Sequence, residues 1–200
     1  DASNLFYGGE KSLGWKIDYK KLLNYLREKY NVTCTYYFGG VEIHNFKYNY
    51  LKEETVPITQ LETHLLSLIR DKNKNLNEAQ SILIEKHLQR VRFYLKLVEF
   101  GYQLFLKPVK IFSQDDGTNK RKANCDVDMA FHMMKEKDVF DRTVILSGDG
   151  DFLPLLKYLK QCRKEIIVLA RSRRTAKEIK QFAGSNFRDF EYLRERLKMV

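Results

Sequence analysis

The stretch TVILSGDGDFLPLLKYL, residues 143–159, decides how this chain folds. Residues 143–147 have the character of a continuous strand that a parallel sheet buries on both faces. After the turn SGDGDF, apolar residues recur at the spacing of one helix face, at Phe152, Leu155, Leu156 and Leu159. Pro154 falls in the first helical turn, where proline is tolerated, and Asp151 is placed to cap the helix. A buried strand, a sharp turn and an amphipathic helix therefore follow one another here.

Strands and helices alternate along the remainder of the chain as well. The predicted helices cover residues 17–30, 59–72, 77–100, 124–138 and 175–182, and the predicted strands cover residues 32–38, 102–107, 109–113, 118–122, 165–170 and 187–190. Gly39 and Gly40 are predicted to end the first strand, and the two longest helices to form a hairpin. The alternation predicts a single α/β domain over residues 1–200, with a mainly parallel central sheet and a helical elaboration at about residues 48–100.

The composition excludes several classes of protein. With 44% hydrophobic and 31% charged residues in a length of 200, the chain can bury a core of its own. No apolar run is long enough to span a bilayer, and the beginning does not resemble a secretory signal, so we expect a cytoplasmic protein without a membrane partner. The three cysteines are far apart in the sequence, which predicts reduced thiols rather than disulfides or a zinc site.

The formal net charge of +10 favours a polyanionic partner. An excess of lysine and arginine binds nucleic acid through the release of counterions, although a solvated lysine-rich surface accounts for the same charge equally well. Two basic clusters lie beside predicted strand ends, namely Lys120, Arg121 and Lys122, and Arg171, Arg173, Arg174 and Lys177. If these clusters share one rim of the sheet, they would hold phosphates on either side of a scissile bond.

Acidic residues stand just past predicted strands, where ligands bind in doubly wound α/β folds. Asp149 lies between Gly148 and Gly150, which let the backbone turn sharply, and we expect this aspartate to be functional. Asp151 has two interpretations of equal weight, a functional carboxylate and a helix cap. Grouped carboxylates repel one another, and a divalent cation such as Mg²⁺, which prefers oxygen ligands, is the usual remedy.

Asp126 begins the predicted helix at residues 124–138. The apolar residues of this helix predict its buried arc, at Val127, Ala130, Phe131, Met133 and Met134. Asp126 projects within that arc, whereas Asp128 falls on the opposite side with His132 and is expected to be solvated. A carboxylate on a buried arc needs a partner, which a metal would supply, and a capping role is the alternative.

Two further places carry acidic groups. Asp1 opens the chain, and Asn4 three residues later could orient Asp1, hold a metal-bound water or serve a local turn. Glu42, just past the strand at residues 32–38, is a weaker candidate.

Three motifs together resemble the NYN domain, a family of PIN-like nucleases that includes LabA-like bacterial proteins. They are D-x-x-N at Asp1 to Asn4, a lysine-rich lead into D-V at Asp126 and Val127, and SGDGDF at residues 147–152. The resemblance spans nearly the whole chain, and SGDGDF followed by an amphipathic helix is its most specific element. In the family the first aspartate ends a β-strand, so we expect such a strand ahead of Asp1.

The resemblance implies a Rossmann-like PIN fold and a ribonuclease that uses Mg²⁺ or Mn²⁺ to hydrolyse RNA with a metal-activated water. We expect this ribonuclease to prefer single-stranded RNA. The resemblance also implies metal ligands at Asp1, Asp126 and Asp149, with Asp151 close by and Asn4 in support. We also expect Asp151 to be catalytic and Ser147 to support the site. The alternatives are an RNA-binding module with a PIN-like fold that does not cut, and a nuclease or phosphatase acting on DNA or other phosphoesters. The helical elaboration is compatible with a homodimer surface, a substrate lid or plain packing.

Overall fold

Helices and strands alternate along the chain in the predicted order. The structure is a computed structural model that describes residues 14–70, 76–113 and 119–199, with the backbone alone for residues 111–113 and 119–122. In chain order the elements are α1 (Tyr19–Tyr30), β1 (Tyr36–Val41), α2 (Ile58–Arg70), α3 (Glu78–Phe100), β2 (Gln103–Pro108), β3 (Lys110–Ser113), β4 (Asn119–Lys122), α4 (Asp126–Lys135), β5 (Arg142–Ile145), α5 (Leu153–Gln161), β6 (Glu165–Ala170), α6 (Lys177–Ala183), β7 (Phe187–Asp189) and α7 (Arg194–Leu197). They divide into two compact units, Asp1–Thr33 with Asp126–Val200, and Cys34–Cys125. Within the described ranges, no helix is both long and apolar enough to cross a membrane.

The first unit is built on a parallel three-stranded sheet in the order β5-β6-β7. In β6 every residue after Glu165 is buried, as a continuous apolar run predicts. Both α5 and α6 pack against this strand. Phe152, Leu156 and Leu159 are buried, which confirms most of the predicted inner face of α5. Because β5 and β6 are parallel, their carboxyl ends lie at the same edge of the sheet, and the SGDGDF turn begins at that edge.

The second unit contains a parallel pair, β1-β2, and an antiparallel ribbon, β3-β4. The predicted pair of long helices is confirmed, because α2 and α3 pack against each other through apolar faces. α3 begins with a capping box, in which Asn77 and Gln80 each accept the other's backbone N–H, and it ends at Gly101 with φ 103°. The α/β fold class with parallel strands is thus confirmed, and each unit holds a parallel sheet of its own.

β1 extends further than the sequence predicts. Gly39 and Gly40 lie inside the strand, which continues to Val41. A Cβ atom on Gly40 would lie 2.5 Å from the Ala123 Cβ and 3.0 Å from the Val109 Cγ2. The glycine is therefore required by a close approach of neighbouring chain, a role that glycine takes inside strands. The prediction that the glycine pair ends the strand is wrong.

Candidate functional site

The SGDGDF turn presents Asp149 at the carboxyl end of β5. Ser147 and Gly148 are buried, whereas the side chain of Asp149 is exposed. The Oδ1 atom of Asp149 accepts the backbone N–H of Asp151 at 3.0 Å and thereby caps a 3₁₀ turn over Gly150–Phe152. The backbone N–H of Asp149 donates to the Ser147 Oγ at 3.4 Å. Asp149 is therefore the capping residue of this 3₁₀ turn. The interpretation of Asp151 as the cap of the following helix is wrong, because Phe152 precedes α5 without a side-chain capping bond.

Glycine is necessary at position 148 because the turn lies against the connection between β6 and α6. A Cβ atom on Gly148 would lie 2.6 Å from the Thr175 Oγ1 and 2.9 Å from the Thr175 Cα. The Gly148 carbonyl accepts the Ala176 N–H at 2.9 Å, and the Thr175 hydroxyl donates to the Arg171 carbonyl at 2.8 Å. These contacts fix the turn that carries Asp149 to the next strand of the sheet.

We expect the substitution Gly148→Ala to lower the free energy of unfolding by about 1–3 kcal/mol, because the added methyl group must displace backbone at Thr175. Gly150→Ala is the matched control. Its Cβ would meet chiefly the flexible end of the Glu178 side chain, which can swing away, so a smaller loss is expected. Urea denaturation of both variants measures the difference. Equal losses, or the reverse order, would contradict this account of the turn.

The structure adds a carboxylate that the sequence pattern did not single out. Glu178 lies near the start of α6, and its Oε1 atom is 2.5 Å from the position that a Cβ of Gly150 would occupy. The side chain is exposed, so it can present negative charge beside the SGDGDF turn. The sequence held a signal for Glu178, because this residue follows the strand β6. Ligand sites lie beyond the carboxyl ends of parallel strands, and this rule applies to the residues after β6 as well as to those after β5.

The structure corrects the predicted orientation of α4. Met129 and His132 are the buried residues of this helix, whereas Val127 and Phe131 are 72% and 58% exposed. The Nδ1 atom of His132 lies 3.8 Å from the Glu136 Oε1. The predicted apolar arc therefore does not mark the inner face of α4, and the prediction that His132 points to solvent is wrong.

Both acidic residues at the start of α4 are half-buried. Asp126 is the first residue of the helix, and its partial burial agrees with a carboxylate that is not fully solvated. Asp128 is half-buried too, which contradicts its predicted placement on a solvated face. The argument for Asp126 from the apolar arc no longer holds, and its role rests on its position and on the family motif.

The predicted metal ligands are only partly within the described residues. Asp1 and Asn4 lie outside them. Among residues 14–70, 76–113 and 119–199, no three His, Cys, Asp or Glu side chains come close enough to hold a metal ion. Asp126 and Asp149 offer carboxylate oxygens, which is the donor chemistry that Mg²⁺ and Mn²⁺ accept. The donor chemistry of these two residues thus fits such an ion, and the three-aspartate site remains a prediction.

The basic residues predicted to bind RNA fall into separate groups. Lys120, Arg121 and Lys122 form most of β4, of which the structure describes the backbone. Arg173 and Arg174 are exposed on the connection between β6 and α6, and Lys177 is exposed as the first residue of α6. This is the connection whose Thr175 touches Gly148, so the three cations border the SGDGDF turn.

Arg171 does not belong with these exposed cations. Its side chain is 4% exposed, and its guanidinium forms ion pairs with Asp189 at 3.4 Å and with Glu191. The hydrogen bond to Glu191 raises the pKa of Arg171 and lowers the pKa of the Glu191 carboxyl. The prediction that Arg171 contacts RNA is therefore corrected: this arginine, which directly follows β6, pairs with the last residue of β7 and with Glu191 just beyond it.

Glu42, the weaker acidic candidate, lies in the second unit among basic groups. Its Oε1 atom is 3.6 Å from the His87 Nε2, and its Oε2 atom is 3.9 Å from a guanidinium nitrogen of Arg90. The other ring nitrogen of His87 contacts the Nε2 of His44. Glu42 thus pairs with Arg90 and contacts the His87 ring within its own unit.

Three comparisons place the chain among known proteins. The family model described as the NYN domain matches residues 1–191. The chain is similar to the Low amplitude and bright protein LabA of Synechococcus elongatus, with 24% identity over 184 residues, which covers 90% of this chain and 75% of that protein. It is also similar to the crystal structure of a protein of unknown function from Vibrio parahaemolyticus, with a TM-score of 0.63, 18% identity, and coverage of 100% of this chain and 92% of that chain. At this identity the structural likeness shows the fold alone.

Proposed function

Because the chain belongs to the NYN domain family, which is nuclease-like, we propose that it is a metal-dependent endoribonuclease that hydrolyses the phosphodiester bonds of single-stranded RNA. The observation that carries this proposal is the placement of Asp149. Its exposed carboxylate follows the carboxyl end of the parallel strand β5, and hydrogen bonds from the backbone N–H groups of Asp149 and Asp151 hold the turn before any substrate arrives. Ligand sites of parallel α/β sheets lie at this position.

Asp149 would hold the metal together with Asp126 and Asp1. When bound, Mg²⁺ or Mn²⁺ supplies an activated water and neutralises charge on the phosphate. Within the chain, Ser147 accepts the N–H of Asp149, and the N–H of Asp151 occupies one oxygen of the Asp149 carboxylate. These hydrogen bonds orient the Asp149 carboxylate, as the hydrogen bonds around metal-binding side chains do in metal sites.

The charge around the turn favours a nucleic acid as the substrate. Arg173, Arg174 and Lys177 are exposed beside the turn, and they would contact phosphates on the flanks of the bond that is cleaved. The net charge of +10 supports such a polyanion. With Arg171 assigned to the core, the phosphate contacts near Asp149 reduce to these three residues.

The proposed activity is tested by incubating the protein with end-labelled single-stranded RNA and with DNA of the same sequence, in Mg²⁺, in Mn²⁺ and in EDTA. We expect internal cleavage of the RNA with either metal and none in EDTA, since the chelator removes the ion that activates water. RNA that is bound but left intact in both metals would instead identify an RNA-binding module. Equal cleavage of DNA would overturn the assignment to RNA and retain the metal chemistry.

A further inference from the structure

We propose that the loop of residues 47–54, called here the tyrosine loop, is a base-stacking site for single-stranded RNA, with the ring of Tyr50 as the stacking surface. This inference rests on the proposed function only because it takes RNA as the ligand, and it does not require that the protein cleaves RNA. The tyrosine loop lies in the second unit, between β1 and α2. It contains none of the residues assigned to the aspartate site.

The apex of the tyrosine loop exposes apolar surface that folding does not use. Tyr50 is 60% exposed, and Leu51 is 97% exposed. The Tyr48 ring lies against Tyr50 with its centroid 4.8 Å away and its plane turned by 84°, which is an edge-on arrangement. Tyr48 therefore sets the orientation of the Tyr50 ring and leaves most of that ring open to solvent.

Hydrogen bonds within the tyrosine loop hold this shape in the free protein. The Tyr48 hydroxyl donates to the Glu53 carbonyl at 2.8 Å, and the Asn49 side-chain oxygen accepts the Leu51 N–H at 3.0 Å. The Asn49 carbonyl also accepts the N–H of Glu53 at 3.0 Å. A loop ordered in advance loses less conformational entropy when a ligand binds, so its exposed ring can contribute more of its contact energy to affinity.

The end of the loop is anchored to the sheet of the second unit. The Thr55 hydroxyl oxygen accepts the Leu106 N–H at 2.8 Å, and the Val56 N–H donates to the Leu106 carbonyl at 2.9 Å. A shallow recess that is open to solvent is lined by Lys47, Tyr48, Asn49, Tyr50, Leu51 and Glu53. A nucleobase entering this recess would meet the aromatic rings.

Positive charge adjoins the Tyr50 ring and identifies the class of ligand. The ammonium group of Lys110 lies over this ring, 6.0 Å from its centroid. Lys110 opens β3 and pairs in register with Lys122 of β4, the strand with the sequence NKRK. Neither strand contains an acidic residue. An exposed tyrosine that continues into a basic ribbon is the combination by which proteins bind single strands, because bases stack on the ring and cations contact the phosphates.

Other ligands fit these observations less well. The two glutamates of the loop, Glu53 and Glu54, are matched in number by Lys47 and Lys52, so the loop adds no net negative charge to the ribbon. The Glu53 carboxylate accepts the Asn49 N–H at 3.4 Å and so turns back into the loop. An anionic membrane surface would also attract Lys110. However, two apolar side chains at the apex are a small area for insertion into a bilayer, where binding grows with the buried apolar area.

The test compares two fluorescein-labelled oligomers of equal charge in EDTA, which prevents cleavage: a 12-nucleotide oligouridylate, and a 12-unit phosphodiester chain that lacks bases. We expect the wild-type chain to bind the oligouridylate about 5- to 100-fold more tightly, the range that stacking of one base provides. Tyr50→Ala should lose this preference and keep its affinity for the abasic chain. Tyr50→Phe should retain the preference, because the ring remains. Tyr192→Ala is the matched control, since Tyr192 is an 86% exposed tyrosine of the first unit.

Three results would overturn the stacking site. Tyr50→Ala could keep the preference for bases, or it could lose affinity for both oligomers equally, which would show that the ring does not read bases. In the third result, the wild type binds both oligomers equally, and it sediments with vesicles of phosphatidylcholine and phosphatidylserine whereas Tyr50→Ala does not. Tyr50-dependent binding by a chain that cleaves no RNA in Mn²⁺ would support the stacking site and refute the nuclease, so the two proposals fail separately.

Discussion

Replacing Asp149 with asparagine is expected to reduce RNA cleavage at least about 100-fold while leaving the fold intact. The charge on a metal ligand contributes several kcal/mol to the transition state, and each 1.4 kcal/mol is a factor of ten in rate. The asparagine amide oxygen can still accept the Asp151 N–H, because asparagine caps helical turns as well as aspartate does. The substitution thus removes the negative charge and keeps the hydrogen bond that holds the turn.

Two further variants separate charge from structure in this experiment. Asp149→Ala removes the cap as well, so it should lose activity and also about 1 kcal/mol of unfolding free energy. Asp141→Asn is the matched control, because Asp141 stands fully exposed before the other end of β5 and makes only a 3.8 Å surface ion pair with Lys164. Cleavage rates and thermal melting of each variant give the comparison. An Asp149→Asn chain that retains more than half of the wild-type cleavage rate would refute the role of this carboxylate.

The sequence predicts β6 well because its signal is local. For β5 the prediction of a strand buried on both faces is wrong, because Thr143 and Val144 are only half-buried at the edge of the described sheet. β6 matches its predicted bounds, and the inner face of α5 follows the predicted apolar spacing with Leu156 and Leu159 buried. A fully buried strand must be apolar at every position, so few alternatives fit its sequence. The prediction that the glycine pair ends β1 failed because the meaning of a glycine depends on distant parts of the chain. Glycine marks a turn and a close backbone contact alike, and only the neighbouring Ala123 distinguishes them.

The site was harder to predict because its contacts join distant parts of the chain. The position of Asp149 followed from the strand and the glycines, but its capping bond depends on the 3₁₀ geometry of the next three residues. The inner face of α4 was predicted wrongly because apolar side chains occur on both sides of this short helix. The burial of His132 depends on tertiary packing, which the local sequence does not specify. Arg171 was assigned to RNA because its carboxylate partners lie 18 and 20 residues further along.

The largest effect on stability is expected from Arg171→Met. The substitution leaves the Asp189 side chain, only 9% exposed, without its cation, and uncompensated buried charge is costly. We expect a loss of about 3 kcal/mol of unfolding free energy, at the lower end for a broken buried pair because the Glu191 side chain is 55% exposed. Arg173→Met is the matched control, since Arg173 is exposed on the same connection and should change stability by less than about 0.5 kcal/mol. Equal urea midpoints for the two variants would contradict the structural role of Arg171.

The pH dependence of that difference identifies its electrostatic origin. The hydrogen bond from Arg171 lowers the pKa of Glu191 in the folded chain below its ordinary value of 4.5. A carboxyl with a lowered pKa contributes stability at pH values above its unfolded pKa, and this contribution disappears as the pH falls through the folded value. The stability gap between the wild type and Arg171→Met should therefore be constant near neutrality and narrow below about pH 4.5. A gap that keeps its full size in acid would mean that Arg171 stabilises the fold by packing its side-chain stem, because that contact does not titrate.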